Sequence, residues 1–202
     1  CEDYYHIYDI KNSKYIDDKI FNELDINSVS FCPNKEGLVA ISADSIVEIW
    51  DLKEQVKINR LVHEDYVDGV RFSFDGNFVA TLSKERILQI CDVNTGAYLS
   101  KRIVTPEDVH AMYLSHDGKN IVYVTDFGKI FIVETATCCT LLEFDLDTGH
   151  LNDYDDFSIE YDSENQCYKF IFDEIPILLV HFPPLQELID KYELVYDNLV
   201  KH

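Results

Sequence analysis

The sequence predicts an all-β protein built from repeated four-stranded antiparallel sheets, and two observations lead to this prediction. Strand-like runs that end in an acidic residue recur at steps of 42, 41 and 42 residues. An apolar residue that closes the first strand of each unit recurs at steps of 41 and 42 residues. Two independent landmarks with one period indicate an internal repeat. The acidic positions are Asp9, Asp51, Asp92 and Glu134, and the apolar positions are Phe31, Phe72 and Leu114.

Within each unit the pattern is strand, turn, strand, turn, which is clearest in the second unit. Two turns that contain glycine, Asp75-Gly76-Asn77 and Asn94-Thr95-Gly96, separate its apolar runs. Glycine favours hairpins at such places because it reaches positive φ without steric cost. The predicted strands of this unit are 70–72, 78–82, 87–91 and a fourth strand that starts at Tyr98.

The repeat indicates three full sheets and two partial ones. The full sheets are predicted at residues 27–62, 67–104 and 109–144, and the partial ones at 4–21 and 157–182. Antiparallel four-stranded sheets that stack face to face form the blades of a β-propeller, which closes with roughly four to eight blades. Two alternatives are open. Either the chain is the C-terminal part of a larger propeller, or residues 4–21 complete the last sheet and close a small ring.

After the last predicted strand, the apolar residues are spaced by three and four positions. This spacing places them on one face of an amphipathic helix, and Pro184 suits its first turn. We therefore expect blades in residues 1–182 and a C-terminal helix in residues 183–202. The apolar positions of this helix are Leu185, Leu188, Ile189, Tyr192, Val195, Tyr196 and Leu199.

The charge balance argues against several classes of protein. The 17 basic and 38 acidic residues give a formal net charge of −21, which argues against a nucleic-acid surface and against a polybasic membrane patch. The six cysteines have no disulfide-framework spacing, so we expect reduced thiols and a cytoplasmic location. The chain opens without Met or a signal peptide, and we interpret it as part of a longer polypeptide.

The strand end Ile49-Trp50-Asp51 resembles the signature of the WD-repeat family. The family places an Asp six residues before that Trp, where Asp44 stands, and a His nine residues before the Phe of a first strand, where His63 stands. Gly149-His150 resembles the same His element at the start of a last unit. The resemblance covers residues from about 4 to 182 and implies a divergent WD-repeat β-propeller.

In that family a His, a Ser or Thr, an Asp and a Trp brace each blade through hydrogen bonds. No unit of this chain has the full set, because Asn22, Cys91, Thr105 and Val133 stand at some of these positions. Apolar packing is therefore expected to contribute more to these blades. The residues for which the resemblance implies a structural brace are Ser42, Asp44, Trp50, His63, Thr81 and His150.

The resemblance implies a non-catalytic scaffold or recognition module for a protein or peptide, and the acidic charge favours a basic partner. Family members often bind through the surface that precedes the first strands, where Asp65, Tyr66, Glu107 and Asp108 map. No residue pattern indicates catalysis, so we expect no catalytic residue, no cofactor and no metal. The contrasting hypothesis is a propeller hydrolase, which would need His and carboxylate groups that converge at the channel mouth.

A second resemblance involves the tail, where residues 182–189 are similar to the end of WD-repeat arrays in bacterial signalling ATPases of the STAND class. It implies a sensor domain that acts on the rest of its own parent polypeptide. The acidic stretch 145–174 is interpreted as a solvated loop or as a negative patch that steers a basic partner. Its residues 145–149 only partly match a calcium loop.

Overall fold

The computed structural model describes residues 8–9, 14–15, 26–115, 118–145, 157–162, 167–172 and 175–181. These residues form strands, turns and loops, and none of them is helical. Chain contacts group the protein into two compact units, Cys1–Leu151 and Asn152–His202. No helix in the described part of the chain has the length and apolar character to cross a membrane.

The first unit contains three four-stranded antiparallel sheets, as the repeat predicts. We name them sheets I, II and III in chain order, and within each sheet the strands that follow one another in the chain pair side by side. Sheet I comprises β3 (Ile26–Phe31), β4 (Leu38–Ala43), β5 (Ile46–Asp51) and β6 (Val56–Val62). Sheet II comprises β7 (Val67–Phe72), β8 (Phe78–Ser83), β9 (Ile87–Asp92) and β10 (Ile103–Val104). Sheet III comprises β11 (Val109–Leu114), β12 (Asn120–Thr125), β13 (Lys129–Glu134) and β14 (Thr140–Asp145).

Two further pieces of sheet match the predicted partial blades. Within residues 4–21, β1 (Tyr8–Asp9) pairs with β2 (Lys14–Tyr15). In the second unit β15 (Phe157–Asp162), β16 (Cys167–Phe172) and β17 (Ile175–His181) form a three-stranded antiparallel sheet. The predicted helix at 183–202 lies outside the described residues, so the domain division remains a prediction.

The fourth strand of sheet II differs from the sequence prediction. It was expected from Tyr98, but regular pairing with β9 starts only at Ile103, preceded by one isolated bridge between Cys91 and Tyr98. The side-chain hydroxyl of Ser100 accepts the hydrogen bond of the Ile90 N–H at 3.1 Å, where a strand would offer a carbonyl. A side chain therefore replaces part of the backbone ladder, and the strand is only two residues long.

The hydrophobic core lies between neighbouring sheets. Side chains alternate across each strand, so each sheet has two apolar faces. Ala40, Val47 and Ile49 of sheet I pack against Val70 and Val79 of sheet II. The opposite face of sheet II, with Ala80, Leu88 and Ile90, packs against Leu114, Ile121 and Tyr123 of sheet III. The face-to-face stack follows from strands such as β4 and β12, which are apolar on both sides.

The first strands of the three sheets converge, with β7 in contact with both β3 and β11. Since each first strand is the edge of its own sheet, its outer backbone groups need other partners. The Ser28 and Ser30 hydroxyls accept hydrogen bonds from the Val70 and Phe72 N–H groups at 3.4 and 3.2 Å. Asn27 donates to the Val67 carbonyl at 3.3 Å. The side chains of sheet I thus join it to sheet II across one repeat.

A glycine in the turn between β7 and β8 allows sheet II to approach sheet I closely. Gly76 has φ of +65°, and a Cβ atom there would overlap Cys32 Sγ. The same turn receives Lys35, whose Nζ donates to the Gly76 carbonyl at 3.0 Å and to Asn77 Oδ1 at 2.9 Å. Only glycine combines this backbone conformation with so close an approach.

Candidate functional site

The candidate partner-binding residues lie in the loops that precede the first strands of sheets II and III. These loops hydrogen-bond to the turns between the second and third strands. The Asp44 carbonyl accepts from Val67 N at 2.8 Å, Tyr66 from Lys84 N at 2.8 Å and Asp108 from Asp126 N at 3.0 Å. All five segments therefore share one end of the stack. We call this end the loop surface, and it comprises residues 44–45, 63–66, 84–86, 105–108 and 126–128.

Two aromatic side chains are exposed on the loop surface. Tyr66 is 52% and Phe127 53% exposed. Lys84 Nζ lies 5.9 Å from the centroid of the Tyr66 ring, within the range of a cation–π contact. Phe127 was not among the residues singled out from the sequence, because an aromatic residue in a hairpin turn carries no periodic signal. Exposed aromatic side chains are frequent anchors in protein interfaces.

Four carboxylates of the loop surface have no hydrogen-bond or ion-pair partner for their side chains within the described residues. Asp44, Glu85 and Asp108 are exposed, and Asp65 is half-buried. The basic side chains of the same surface are Lys84 and Arg86, so negative charge dominates it. This arrangement attracts positive groups.

Glu107 differs from the other candidate residues, because its carboxylate is already bound within the protein. The Thr125 hydroxyl donates to it at 2.7 Å and Lys129 Nζ at 3.2 Å. The hydrogen bond from Thr125, together with Lys129, holds the pKa of Glu107 below its usual range. Glu107 therefore fixes the loop in place, whereas Asp65, Tyr66 and Asp108 remain accessible.

The structure separates two of the residues that were interpreted as braces in sheet I. Ser42 pairs with Val47 and Trp50 with Val39, so the two side chains lie on opposite faces of the sheet. Ser42 donates to the Ser28 carbonyl at 3.4 Å. Asp44 occupies the intervening turn with φ of 49°. Their joint action as one brace remains a prediction.

Trp50 is held by a charged cluster that the sequence did not reveal. Its indole N–H donates to Glu48 Oε2 at 3.0 Å, and Lys57 Nζ donates to Glu48 Oε1 at 2.6 Å. Lys57 also lies 4.9 Å from the Trp50 ring centroid. Glu48 is buried on this face. The signal was present in the strand pattern, since an acidic residue at an inward position requires partners.

His63 and Thr81 meet at Gln89 in the joint between sheets I and II. His63 forms a side-chain hydrogen bond with Gln89, and Thr81 Oγ1 donates to the Gln89 carbonyl at 3.4 Å. The Tyr98 ring meets His63 edge-on at 6.1 Å. Nε2 of His63 is buried without a hydrogen-bond partner in the described part of the chain, and burial lowers the pKa of this histidine. His150 lies outside the described residues.

The described residues contain no group of three or more His, Cys, Asp or Glu side chains that could hold a metal ion. The partial calcium motif falls on 145–156, of which the structure describes only Asp145. The calcium hypothesis therefore remains a sequence-based expectation.

Comparison with known proteins identifies related repeats. Residues 20–51 match the family model "WD domain, G-beta repeat". The chain is 34% identical over 77 residues to "Cross-pathway control WD-repeat protein 2" of Flammulina velutipes. The aligned region covers 37% of this chain and 24% of that protein. It is 29% identical over 97 residues to Coronin-7 of Rattus norvegicus, which covers 48% of this chain and 10% of that protein. The chain thus spans about a quarter or less of the length of these relatives.

Proposed function

We propose that this WD-repeat chain is a non-catalytic scaffold that recognises a protein or peptide through its loop surface. WD repeats are in general protein–protein interaction modules. The observation that carries the proposal is the combination of two exposed aromatic rings, Tyr66 and Phe127, with carboxylates that have no ion-pair partner. The stacked sheets beneath them supply a rigid support, which lowers the entropy lost on binding.

The chemistry of this surface favours a basic partner segment that carries an apolar side chain. Lys or Arg groups of the partner would meet Asp44, Asp65, Glu85 and Asp108, and its apolar group would contact the aromatic rings. The net charge of −21 would accelerate the encounter with a basic partner. Aromatic contacts would then supply most of the affinity, as is common at binding hot spots.

A peptide-binding experiment tests this proposal. The probes are synthetic peptides rich in Lys and Arg with one Leu or Phe, and acidic peptides of the same length. We expect the basic peptides to bind, the paired variant Tyr66→Ala with Phe127→Ala to reduce affinity about tenfold or more, and added salt to weaken binding. Phe74→Ala is the matched control, since Phe74 is also exposed but follows β7 at its far end.

Two outcomes would contradict the proposal. Equal binding of basic and acidic peptides, or binding that added salt does not change, would remove its electrostatic part. An equal loss of affinity in the Phe74→Ala control would show that the aromatic residues of the loop surface have no special role.

We also propose that the rest of a parent polypeptide contacts Phe31 on the face of sheet I that is turned away from sheet II. Phe31 is 55% exposed there, whereas Phe72, at the equivalent position of sheet II, is 6% exposed under sheet I. Val39 and Ile41 of this face are already buried, so the proposed contact is centred on Phe31. Replacement of Phe31 by Ser should reduce self-association in sedimentation experiments without loss of secondary structure. Unchanged self-association would argue against the proposal.

The sensor role in a STAND-type ATPase and the propeller hydrolase remain alternative hypotheses. The first depends on residues 182–189, which lie outside the described part of the chain. The second requires turnover of a substrate, and an assay with generic ester and phosphoester substrates would test it directly.

A further inference from the structure

Arg71 lies on the inner edge of the stack, away from the loop surface. It belongs to β7, which contacts β3 on one side and β11 on the other. The residues at equivalent register positions are Ser30 in sheet I and Tyr113 in sheet III. Of the three equivalent residues on the converging first strands, Arg71 is therefore the one that carries a positive charge. Its side chain remains exposed to solvent.

The guanidinium group of Arg71 uses few of its hydrogen-bond donors within the described residues. Its Nη1 donates to the Val70 carbonyl at 2.8 Å, which uses one of five N–H donors. Within the described residues no carboxylate forms an ion pair with it. Two other cations of this acidic protein are neutralised, since Arg102 pairs with Glu64 and Lys129 with Glu107. Arg71 thus differs from these two cations in having donors and charge available, and it differs from the similarly bonded Arg86 in lying beside the converging first strands.

The guanidinium group of Arg71 is partly surrounded by protein atoms. Protein atoms around the guanidinium lower the pKa of Arg71 through desolvation, although the side chain is accessible. On the same side of β7, Gly69 has no side chain, and the methyl group of Met112 lies close to the place where a Cβ would be. An apolar wall beside a charged group strengthens the attraction for an opposite charge.

We propose that Arg71 is the centre of a binding site for an oxyanion, a carboxylate or phosphate group, on the inner wall of the stack. The planar guanidinium matches two oxygen atoms of such a group in a bidentate arrangement. The bond from Nη1 to the Val70 carbonyl restrains the guanidinium group, and its other N–H donors would bind the oxyanion. The site does not depend on the proposed function of the loop surface.

Nuclear magnetic resonance of the arginine side-chain N–H groups in the whole chain tests the proposal. Inorganic phosphate is added in one series and acetate in another, with ionic strength held constant by chloride. We expect a saturable shift of the Arg71 signal in at least one series, and the comparison of the two identifies the preferred group. Arg71→Gln should abolish the saturable response, and Arg71→Lys should weaken binding about tenfold because it loses the fork.

Arg86 provides the matched control. Its Nη1 also donates to a carbonyl, that of Pro106 at 3.0 Å, but it lies in an exposed turn of the loop surface. The Arg86 signal should shift only with ionic strength, and Arg86→Gln should leave the phosphate and acetate responses unchanged. Parallel, non-saturable shifts of all arginine signals would overturn the proposal. So would a saturable response that persists in a folded Arg71→Gln variant.

Discussion

The N–H group of Phe72 donates a hydrogen bond to the hydroxyl of Ser30, 42 residues earlier in the chain, at 3.2 Å. The distance in sequence equals one repeat, so the bond joins equivalent strands of neighbouring sheets. It satisfies a buried donor at an edge where no strand pairs. Neighbouring copies of the repeat are therefore in direct contact through this hydrogen bond.

Replacement of Ser30 by Ala should destabilise the protein by about 1–3 kcal/mol, because the buried Phe72 N–H would lose its acceptor. Denaturant unfolding measures the change. Ser28→Ala is the control, and we expect a smaller effect, since its bond to Val70 is longer at 3.4 Å and half-buried. Equal effects of the two substitutions would contradict this ranking.

Replacement of Gly76 by Ala should be more harmful than an ordinary Gly→Ala change. Alanine at this position would have to keep the left-handed backbone conformation of Gly76, which is unfavourable for a residue with a side chain. Its Cβ atom would also overlap Cys32 Sγ. We expect a loss of about 1–3 kcal/mol in the free energy of unfolding. Gly69→Ala is a useful comparison, because its φ is not positive and its nearest neighbour is the flexible end of Met112. A larger loss of unfolding free energy for Gly69→Ala than for Gly76→Ala would show that the turn and Cys32 can move to accommodate a side chain at position 76.

Removal of the Glu48 carboxylate should leave the Trp50 indole N–H and the Lys57 ammonium group without their partner. We expect Glu48→Ala to cost about 2 kcal/mol. Trp50 is the single tryptophan of the chain, so its fluorescence should change as well. Glu36→Ala, which breaks the exposed pair with Lys53, should change little. Unaltered fluorescence and stability in Glu48→Ala would exclude a structural role for the cluster.

Stability should decrease on acidification in a way that depends on His63. Burial lowers its folded-state pKa below the ordinary value of 6.5. Between the two pKa values His63 is therefore protonated in the unfolded chain but neutral in the folded protein. The free energy of unfolding decreases as the pH falls below about 6.5 towards the folded-state pKa. Gln89, Tyr98, Arg102 and Glu64 lie around this group. Unfolding measured from pH 7.5 to 5 should show a smaller loss in His63→Gln, and an identical pH profile would contradict the assignment.

The sequence predicted the sheets well because their landmarks are local. Strand ends such as Ile49-Trp50-Asp51 and glycine turns such as Asp75-Gly76 repeat with the same step, and the three sheets lie where this step places them. The bond between Ser30 and Phe72 could not be predicted in the same way. It joins edges of different sheets, and only the stack brings those edges together.

The brace residues show how a small change in turn length alters a site. In sheet I the turn between β4 and β5 has two residues, 44–45, whereas in sheet II the turn between β8 and β9 has three, 84–86. Thr81 pairs with Gln89 and so shares a face with Cys91, but Ser42 lies on the face opposite Trp50. An alignment anchored on Trp50 cannot detect this, because one step of register moves a side chain to the other face.

Hydroxyl and amide side chains occupy the inner edge of β7, and this has a consequence for misassembly. Asn27, Ser28 and Ser30 saturate main-chain groups that would otherwise template an incoming strand. Fibril growth or strand exchange between molecules would therefore be disfavoured along this edge. Mild denaturants that loosen sheet I should be the first conditions under which such aggregates nucleate.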